Sequence, residues 1–359
     1  MNTAPYILIM AGGVGSRFWP ASREHLPKQF LDITGSGKSL IRQTVDRFLS
    51  FIPKENIFVI THKNYGSLVL EAIPEFEKHQ VIEEPSRNNT AASVALASMK
   101  LYKLDPNAVC IVAPADHLIK DEQTFKEAIS IAVKHATQFA SIITLGIEPT
   151  RADTGYGYIE FDKTEDSEVR AVKSFREKPD KSTAEQYLNQ GSFAWNAGIF
   201  IWKLSVILDS FERHAAQIYN TLHPGLSVYN TDKETSFIAI NYPKTEKISV
   251  DYAILEHAEN VYTIPCDIGW SDLGTWTSLY EQSDKDKAHN VNLSHPIYLE
   301  KATHNLILSK MDKLVVIKGL QDFIVIDTDD CLMIYPKSEE QSIKELKEQL
   351  KSKGFDSFL

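Results

Sequence analysis

Glycine and basic residues lie close together near the start of the chain, in a pattern typical of a phosphate site. Three of the four residues at 12–15 are glycine, they follow an apolar run at 6–10, and Arg17 and Lys28 come soon after them. Because glycine permits positive φ values, successive backbone N–H groups can converge on an anion. Arg17 and Lys28 can neutralise charge that the amides alone would leave unbalanced. We expect a phosphate-binding loop; the alternative is a structural turn between a strand and a helix.

Two familiar phosphate-binding loops do not fit this segment. A Walker loop requires the spacing GxxxxGK[ST], which begins at neither Gly12 nor Gly13. A dinucleotide-binding loop, GxGxxG, would need glycine at the position of Phe18. The sequence therefore indicates neither a P-loop NTPase nor a standard NAD site.

The segment AGGVGSRFWPASREHLPKQF at 11–30 resembles the opening of the sugar-1-phosphate nucleotidyltransferase family. Its SRExxPKQF part is similar to the mannose-1-phosphate guanylyltransferases of that family. Other segments similar to the family follow in the same order, over about the first three quarters of the chain. They are Glu84-Pro85, Asn89-Thr90-Ala91, Pro114-Ala115-Asp116-His117, TGYGYI at 154–159, Glu177-Lys178-Pro179, WNAGIF at 195–200 and GWSDLGTW at 269–276.

The resemblance implies transfer of GMP from GTP to α-D-mannose 1-phosphate, with release of pyrophosphate and with Mg2+ as the cofactor. The attacking phosphate of such a reaction is already ionised, so positioning and charge neutralisation matter more than a strong base. Departures from the common family pattern at Arg87, Asn88 and Ala92 bear on the choice of base and sugar. One alternative is a guanylyltransferase for another sugar 1-phosphate, such as a heptose phosphate. Another is a non-catalytic paralogue that binds a nucleotide sugar and regulates a partner.

By the resemblance, the nucleotide is bound by the glycine loop and by three later motifs. Arg17 would contact the β- and γ-phosphates and Lys28 the α-phosphate, while Glu84, Pro85 and Asn89 would contact the base and the ribose. The full set implied for the nucleotide is Ala11, Gly12, Gly13, Gly15, Ser16, Arg17, Lys28, Glu84, Pro85, Asn89 and Asp116.

Asp116 ends an apolar stretch, VAPAD, and carries the carboxylate oxygens that Mg2+ prefers. The resemblance pairs it with Asp272 as the two metal ligands. The alternatives are an Asx turn or a helix N-cap for Asp116 and a helix N-cap for Asp272. The resemblance also implies a sugar-phosphate site and three catalytic cations. The site would contain Gly155, Glu177, Lys178, Asn196 and Asp272, and the cations are Arg17, Lys28 and Lys178.

Composition restricts the class of protein. The 359 residues are 43% hydrophobic and 24% charged, which is typical of a globular protein of about two domains. The apolar runs are far shorter than the ~20 residues that span a bilayer, and no signal peptide is evident, so we expect a cytoplasmic protein. A net charge of -10 is unfavourable for nucleic acid. We expect Cys110, Cys266 and Cys331 to be reduced and the protein to be a homodimer.

The order of the elements predicts an α/β fold. Apolar, β-branched runs alternate with helical periodicity up to residue 146, which predicts a Rossmann-like, mostly parallel mixed sheet with helices on both faces. Ligands of such sheets bind at the carboxyl ends of the strands, where both the glycine loop and Asp116 fall. We expect a nucleotidyltransferase domain at 1–284, with an inserted sugar-binding lobe at about 151–247. A capping box, Ser182-x-x-Glu185, is expected to open a helix in that lobe.

Residues 291–359 have the pattern of a small β domain. Short apolar runs recur there, which suits either a β-helix or a small sandwich. The resemblance implies a left-handed β-helix. A final helix is predicted from the capping box Ser338-x-x-Gln341 to Gly354, with one apolar face that docks on the β domain or on a partner subunit. Larger relatives carry a further isomerase domain, for which this chain is too short, so we expect a single activity.

Overall fold

A computed structural model describes residues 4–164, 166–294, 296–309 and 313–359. The chain forms two compact units. The sheet unit contains the residues up to Gly12, Val45–Ala115 and Ile119–Trp270. The β-helix unit contains Gly13–Thr44, Asp116–Leu118 and Ser271–Leu359. From Gly13 onward, the glycine loop thus belongs to the same compact unit as the C-terminal residues.

A mixed sheet of nine strands forms the centre of the sheet unit. The strands are β1 Tyr6–Ala11, β2 Ile57–His62, β3 Val81–Glu84, β4 Val109–Pro114, β5 Ile142–Ile147, β6 Tyr158–Phe161, β7 Arg170–Arg176, β8 Phe193–Lys203 and β9 Val261–Pro265. Their order in the sheet is β3-β2-β1-β4-β8-β5-β9-β7-β6. Strands β1 to β4 pair in parallel, whereas β8 lies between β4 and β5 and runs antiparallel to both. The α/β fold class is confirmed, although β5 pairs in parallel with β9 and not with the first four strands.

Residues 151–247, which the sequence suggests as an inserted lobe, contribute β6, β7 and β8 to this same sheet. β8 is buried along most of its length because its sequence, FAWNAGIFIWK, is apolar on both faces. An apolar run of this kind shows that a strand is buried but not which way it runs. Strand direction therefore could not be predicted from the residues alone.

Ten α-helices accompany the strands in the described part of the chain. They are α1 Leu40–Leu49, α2 Gly66–Ala72, α3 Asn89–Leu104, α4 Glu122–Gln138, α5 Lys181–Gln190, α6 Leu204–His214, α7 Ala216–Leu222, α8 Glu234–Asn241, α9 Trp276–Gln282 and α10 Ile343–Ser352. Helix α3 is rich in alanine and packs with α6 and α7 in the main core of the sheet unit, because small side chains allow helices to approach closely. None of these described helices is long and apolar enough to cross a membrane.

Both predicted capping boxes are wrong. The cap of α5 is Asp180, whose carboxylate accepts from Thr183 N at 2.9 Å, so the helix starts ahead of Ser182. At the C-terminal end, a 3-10 helix at Lys337–Ser342 precedes α10, and neither it nor α10 has a side-chain cap. A capping box is a four-residue signal and cannot show which of several neighbouring polar residues starts the helix.

The C-terminal strands form rungs. They are β10 Val291–Asn292, β11 Ile297–Glu300, β12 Leu306–Ser309, β13 Val315–Lys318, β14 Phe323–Asp327 and β15 Leu332–Pro336. β10, β12 and β14 pair in parallel, as do β11 and β13, while β15 closes the longer sheet antiparallel to β14. Asn305 N donates to Asn290 Oδ1, 15 residues earlier, and Phe323 N donates to Asn305 Oδ1 from 18 residues later. Parallel pairing of successive short strands indicates a β-helix, since the hairpins of a sandwich would pair antiparallel.

The β-helix unit has one apolar core that includes the segment after the glycine loop. Phe18 and Trp19 are buried in it with Trp276 and with rung residues such as Leu306 and Ile324. Helix α10 contributes Ile343, Leu346 and Leu350 to the same core, which confirms its predicted apolar face. Trp19 Nε1 also donates to Phe358 O at 2.8 Å. The glycine loop is therefore held on the β-helix by burial and by hydrogen bonds.

Candidate active site

The glycine loop leaves β1 at Ala11 and turns through a 3-10 helix at Ser16–Phe18. Gly15 has φ 67°, and a Cβ at this position would lie 2.4 Å from Lys28 Cβ. Glycine is therefore required at position 15 by both conformation and space. Arg17 is exposed, and within the described part of the chain its guanidinium has no hydrogen bond or ion pair. Its charge is available to an anion.

Lys28 is the most buried cation of this region, with its side chain only 4% exposed. Its ammonium donates to Asp116 Oδ2 at 2.9 Å, to Asp272 O at 3.0 Å and to Leu273 O at 2.8 Å. A lysine ammonium has three donors, so all three are used within the protein. Lys28 thus joins the two predicted metal ligands. We call Lys28, Asp116, Asp272 and Leu273 the Lys28 cluster.

The two acids of the Lys28 cluster are held in different ways. Burial alone would raise the pKa of Asp116, but the positive charges of Lys28 and His117 and the hydrogen bond from Lys28 lower it overall. Asp272 Oδ1 accepts from Gly274 N at 2.9 Å, as in an Asx turn. The alternative of a helix cap is wrong for Asp272, because Thr275 caps α9. It is also wrong for Asp116, because Asp121 caps α4.

The donor chemistry of the Lys28 cluster fits a divalent cation that is shared with a substrate. Among the described residues, no group of three or more His, Cys, Asp or Glu side chains is placed to hold a metal by itself. Mg2+, however, usually takes one or two carboxylates and completes its shell with waters and substrate phosphates. Asp116 and Asp272 supply two carboxylates to this cluster, and Lys28 contacts the carboxylate of Asp116 and the backbone carbonyl oxygen of Asp272.

In the sheet unit, a second group of polar residues surrounds Asn196 on β8. Asn196 Oδ1 accepts from Thr144 Oγ1 at 2.8 Å and from Gly198 N at 3.0 Å. Its Nδ2 donates to Asp251 Oδ1 at 3.1 Å. These three bonds fix the orientation of the amide, because the oxygen and the nitrogen cannot exchange places without breaking them. We call Thr144, Glu177, Lys178, Asn196 and Asp251 the Asn196 cluster.

Glu177 and Lys178 follow β7 and form an ion pair with each other. Lys178 has φ 48°, so its backbone is in the left-handed region, and its N–H donates to Tyr156 O at 3.2 Å. A Cβ on Gly157 would lie 2.4 Å from Glu177 Oε2 and 3.4 Å from Asn196 Cβ. The glycine that lets Glu177 approach is therefore Gly157, which sequence analysis missed. The predicted Gly155 lies in the preceding turn, where its N–H donates to an aspartate, Asp153.

Asp251 is the other functional candidate that sequence analysis missed. It lies in a π-helical turn, Asp251–Leu255. Burial and the negative charge of Glu177 raise the pKa of Asp251 to about 7, although Lys178 opposes the shift. An acid in the first turn of a helix is ordinarily stabilised by the helix dipole. The sequence therefore contained no signal that set Asp251 apart.

Glu84 ends β3 and is 6% exposed. Its Oε2 accepts from Ser93 Oγ at 2.8 Å and from the Tyr242 hydroxyl, while Oε1 lies 3.9 Å from the position of a Cβ on Gly12. Burial raises the pKa of Glu84, and the two hydrogen bonds oppose that shift. The neighbouring Asn88 is fully buried and donates to the carbonyl oxygen of Tyr242. The turn after β3 is thus anchored at both ends.

The structure brings the predicted residues together in separate groups. In the β-helix unit, Lys28 contacts the side chain of Asp116 and the backbone of Asp272. In the sheet unit, Glu177 and Lys178 form an ion pair. Asn196 lies close to Gly157, which Glu177 also approaches, and its amide donates to Asp251. Among the other predicted residues, Gly15 lies against Lys28. Ala11 is the last residue of β1 and Gly12 follows it. The loop itself contains Gly13, Gly15, Ser16 and Arg17. Pro85 follows β3, and Asn89 is the first residue of α3.

Two family models match the chain in consecutive segments. One described as Nucleotidyl transferase matches residues 6–289, and one described as MannoseP isomerase/GMP-like beta-helix domain matches residues 299–350. The second match agrees with the β-helix that the strand pairing shows.

Proteins and solved structures similar to this chain extend over nearly all of it. Mannose-1-phosphate guanylyltransferase RfbM of Salmonella typhimurium is 36% identical over 354 residues, which are 96% of this chain and 72% of that protein. Mannose-1-phosphate guanylyltransferase 2 of Escherichia coli O157:H7 is 36% identical over 366 residues, or 98% and 74% of the two chains. A crystal structure from Thermus thermophilus, described as a mannose-1-phosphate geranyltransferase, has a TM-score of 0.87 at 27% identity and covers 97% of this chain and all of its own.

The predicted family is thereby confirmed by two independent findings, the match of a family model over most of the chain and the near full-length identity to curated relatives. The glycine loop, the Lys28 cluster and the Asn196 cluster all lie within the matched residues 6–289. The chain belongs to the nucleotidyl transferase family and carries a C-terminal β-helix domain of the MannoseP isomerase/GMP-like type.

Proposed function

We propose that the protein transfers GMP from GTP to α-D-mannose 1-phosphate and produces GDP-mannose and pyrophosphate. The observation that carries the proposal is the Lys28 cluster, in which one buried cation contacts the Asp116 carboxylate and the backbone carbonyl oxygen of Asp272, more than 150 residues later in the sequence. Such an arrangement suits the binding of polyphosphate with a divalent cation. The choice of guanine and mannose is supported by the names of the relatives from Salmonella typhimurium and Escherichia coli.

In this reaction an oxygen of the sugar phosphate attacks the α-phosphorus of GTP in line, and pyrophosphate leaves. The attacking oxygen is already ionised, so the residues must neutralise charge and hold the reacting groups in place. Arg17 is proposed to contact the β- and γ-phosphates, with loop amides of Gly12 and Gly13 as further donors. Lys28 would contact the α-phosphate by exchanging one of its carbonyl acceptors, because its three donors are engaged in the protein.

Asp116 and Asp272 would hold the divalent cation, which we propose to be Mg2+. When bound, the cation supplies positive charge to the phosphates at short range. Lys28 supports this role from the protein side, because its ion pair keeps the Asp116 carboxylate ionised. An ionised carboxylate is the form that binds a hard cation.

The Asn196 cluster is proposed to bind the sugar 1-phosphate. Lys178 would pair with the phosphate, while Glu177 and Asn196 would exchange hydrogen bonds with sugar hydroxyls. We propose Glu84 for the base, because a carboxylate oxygen accepts the two N–H donors that guanine presents. Pro85 and Asn89, on the same turn, would contact the ribose and the base.

Domain organisation, location and assembly are also proposed. The domain boundaries are 1–284 and 291–359, with residues 151–247 as the sugar-binding part. We propose a cytoplasmic homodimer, in line with most soluble oligomers being twofold symmetric. Sedimentation of the purified protein measures the oligomeric state, and a monomer at micromolar concentration would contradict the dimer.

The experiment is a substrate panel. Pyrophosphate release is measured with each of four nucleoside triphosphates and several sugar 1-phosphates, including a heptose phosphate, with and without Mg2+. We expect the highest kcat/KM for GTP with mannose 1-phosphate and no release without a divalent cation. A preference for UTP or dTTP, or for the heptose phosphate, would contradict the assignment of base or sugar. No release with any pair would instead indicate a non-catalytic nucleotide-sugar-binding protein.

A further inference from the structure

The amide of Asn196 has one donor that its neighbours do not use. Its oxygen accepts from Thr144 Oγ1 and Gly198 N, and its nitrogen gives one N–H to Asp251. A primary amide has two N–H groups, so the second has no partner among the described residues. Because Asp251 accepts the first, the direction of the second is determined.

Asp251 has the surroundings of a residue that serves a ligand site. It is partly buried, and its carboxylate interacts with the charges of Glu177 and Lys178 as well as with Asn196. Keeping a carboxylate beside another acid costs stability, since like charges close together repel. The tertiary structure therefore keeps Asp251 at a position where its negative charge lowers the stability of the fold. Such positions are found preferentially at functional sites.

We propose that Asp251 is a positioning residue for the sugar end of the substrate: it fixes the Asn196 amide so that the remaining N–H donates to a sugar hydroxyl. The inference deepens the proposed function and rests on it. The phosphate end of the substrate is assigned to Lys178, which is a separate contact. Asp251 therefore acts on recognition of the sugar ring and not on binding of the phosphate or of GTP.

The decisive variant is Asp251→Asn, studied in the full-length protein. The new side chain carries no charge, so the bond that directs the Asn196 Nδ2 donors is weakened, while the bonds from Thr144 Oγ1 and Gly198 N remain. The bond at stake is the one from the Asn196 N–H to a sugar hydroxyl, and loss of one such bond between neutral groups weakens binding about three- to tenfold. We expect the KM for mannose 1-phosphate to rise by that factor, while the KM for GTP stays within about twofold.

Inorganic phosphate separates the two ends of the substrate. As a competitor of mannose 1-phosphate it occupies the phosphate end of that site, which is assigned to Lys178, so its inhibition constant should not rise in Asp251→Asn. Glu259→Gln, which changes an exposed acid of the next turn, is the matched control and should leave both KM values unchanged. If Asp251→Asn raises the KM of both substrates equally, or weakens inorganic phosphate to the same extent, the residue is only structural and the inference is overturned.

Thr144→Val provides a second test if Asp251→Asn does not fold. It removes the other side-chain bond to Asn196 and suits a buried strand, so it should also raise the KM for mannose 1-phosphate. A folded Thr144→Val with unchanged KM would overturn the inference.

Failure of the inference can be distinguished from failure of the proposed function. If the wild type turns over GTP and mannose 1-phosphate but the Asp251→Asn and Thr144→Val variants keep its KM values, only the inference fails. If the wild type does not turn over this pair, the proposed function fails, and calorimetric titration of mannose 1-phosphate then tests the inference directly. Equal affinities of wild type and Asp251→Asn, or no binding by the wild type, would overturn it.

Discussion

The Lys28→Met variant tests whether Lys28 stabilises the folded protein or only contacts a phosphate of the substrate. Methionine keeps an unbranched side chain of similar length but removes the bonds to the Asp116 carboxylate and to the carbonyl oxygens of Asp272 and Leu273. Removing one partner of a buried ion pair costs about 3–5 kcal/mol, largely because the other charge is left unpaired. The Asp116 side chain is 31% exposed and can be partly hydrated. We therefore expect the lower end of that range, about 3 kcal/mol.

Urea unfolding at neutral pH measures this loss in free energy of unfolding. Lys134→Met, an exposed lysine on α4, is the matched control and should change the free energy of unfolding by less than about 0.5 kcal/mol. Asp116→Asn and the double variant with Lys28→Met complete a cycle that isolates the pair. We expect a coupling of about 1–3 kcal/mol, because the two groups are in direct contact.

A Lys28→Met protein that unfolds within about 0.5 kcal/mol of the wild type would refute this reasoning. Unchanged stability, together with a higher KM for GTP, is the result expected if the only partner of Lys28 is a substrate phosphate. A large loss of stability with no coupling to Asp116→Asn would also refute it, since the loss would then come from packing. The kinetics of the folded variant are measured at the temperature where it remains native.

Two more predictions concern the Asn196 cluster. Asp251 has a pKa raised from 3.8 to about 7, so the folded protein binds this proton more tightly than the unfolded chain, and stability is lost as the pH rises between these values. Asp251→Asn should therefore gain in free energy of unfolding relative to the wild type as the pH rises from about 4 to about 7; a difference that does not change with pH contradicts the shift. Gly157→Ala places a Cβ 2.4 Å from Glu177 Oε2 and 3.2 Å from Phe175 Cζ, so it should displace Glu177 and raise the KM for the sugar 1-phosphate. Gly155→Ala, whose nearest contact is Asp153 Oδ1 at 3.1 Å, should have a smaller effect, and equal effects of the two variants on KM would argue against the approach at Gly157.

The strands of the first half of the sheet could be predicted from the sequence. β1 and β2 coincide with apolar, β-branched runs, because short runs of this kind between turns are a local signal. Because β1 and β4 are parallel neighbours, their carboxyl ends lie at the same edge of the sheet. The glycine loop and Asp116 follow those two ends in the sequence. The position of β8 between β4 and β5 could not be predicted, because pairing of strands distant in the sequence depends on tertiary packing.

The candidate site was predictable only where residue type alone is informative. Glycine, lysine and aspartate in a phosphate-like pattern identify the loop, but the partners of Lys28 lie up to 245 residues away. Asp251 contacts Asn196 across 55 residues, and no periodicity or spacing records that contact. Gly157 and Gly155 are equally plausible in the sequence TGYGYI, and only the packing of Glu177 distinguishes them.

The shared core of the glycine loop and the β-helix has a consequence for how this chain can be shortened or varied. Removing the last rungs would leave Phe18 and Trp19 facing water and would take away the acceptor of the Trp19 indole. A fragment without the C-terminal residues is therefore not a minimal catalyst, and sequence changes far from the reacting phosphates can alter nucleotide handling. The β-helix is therefore part of the structure that holds the glycine loop in place.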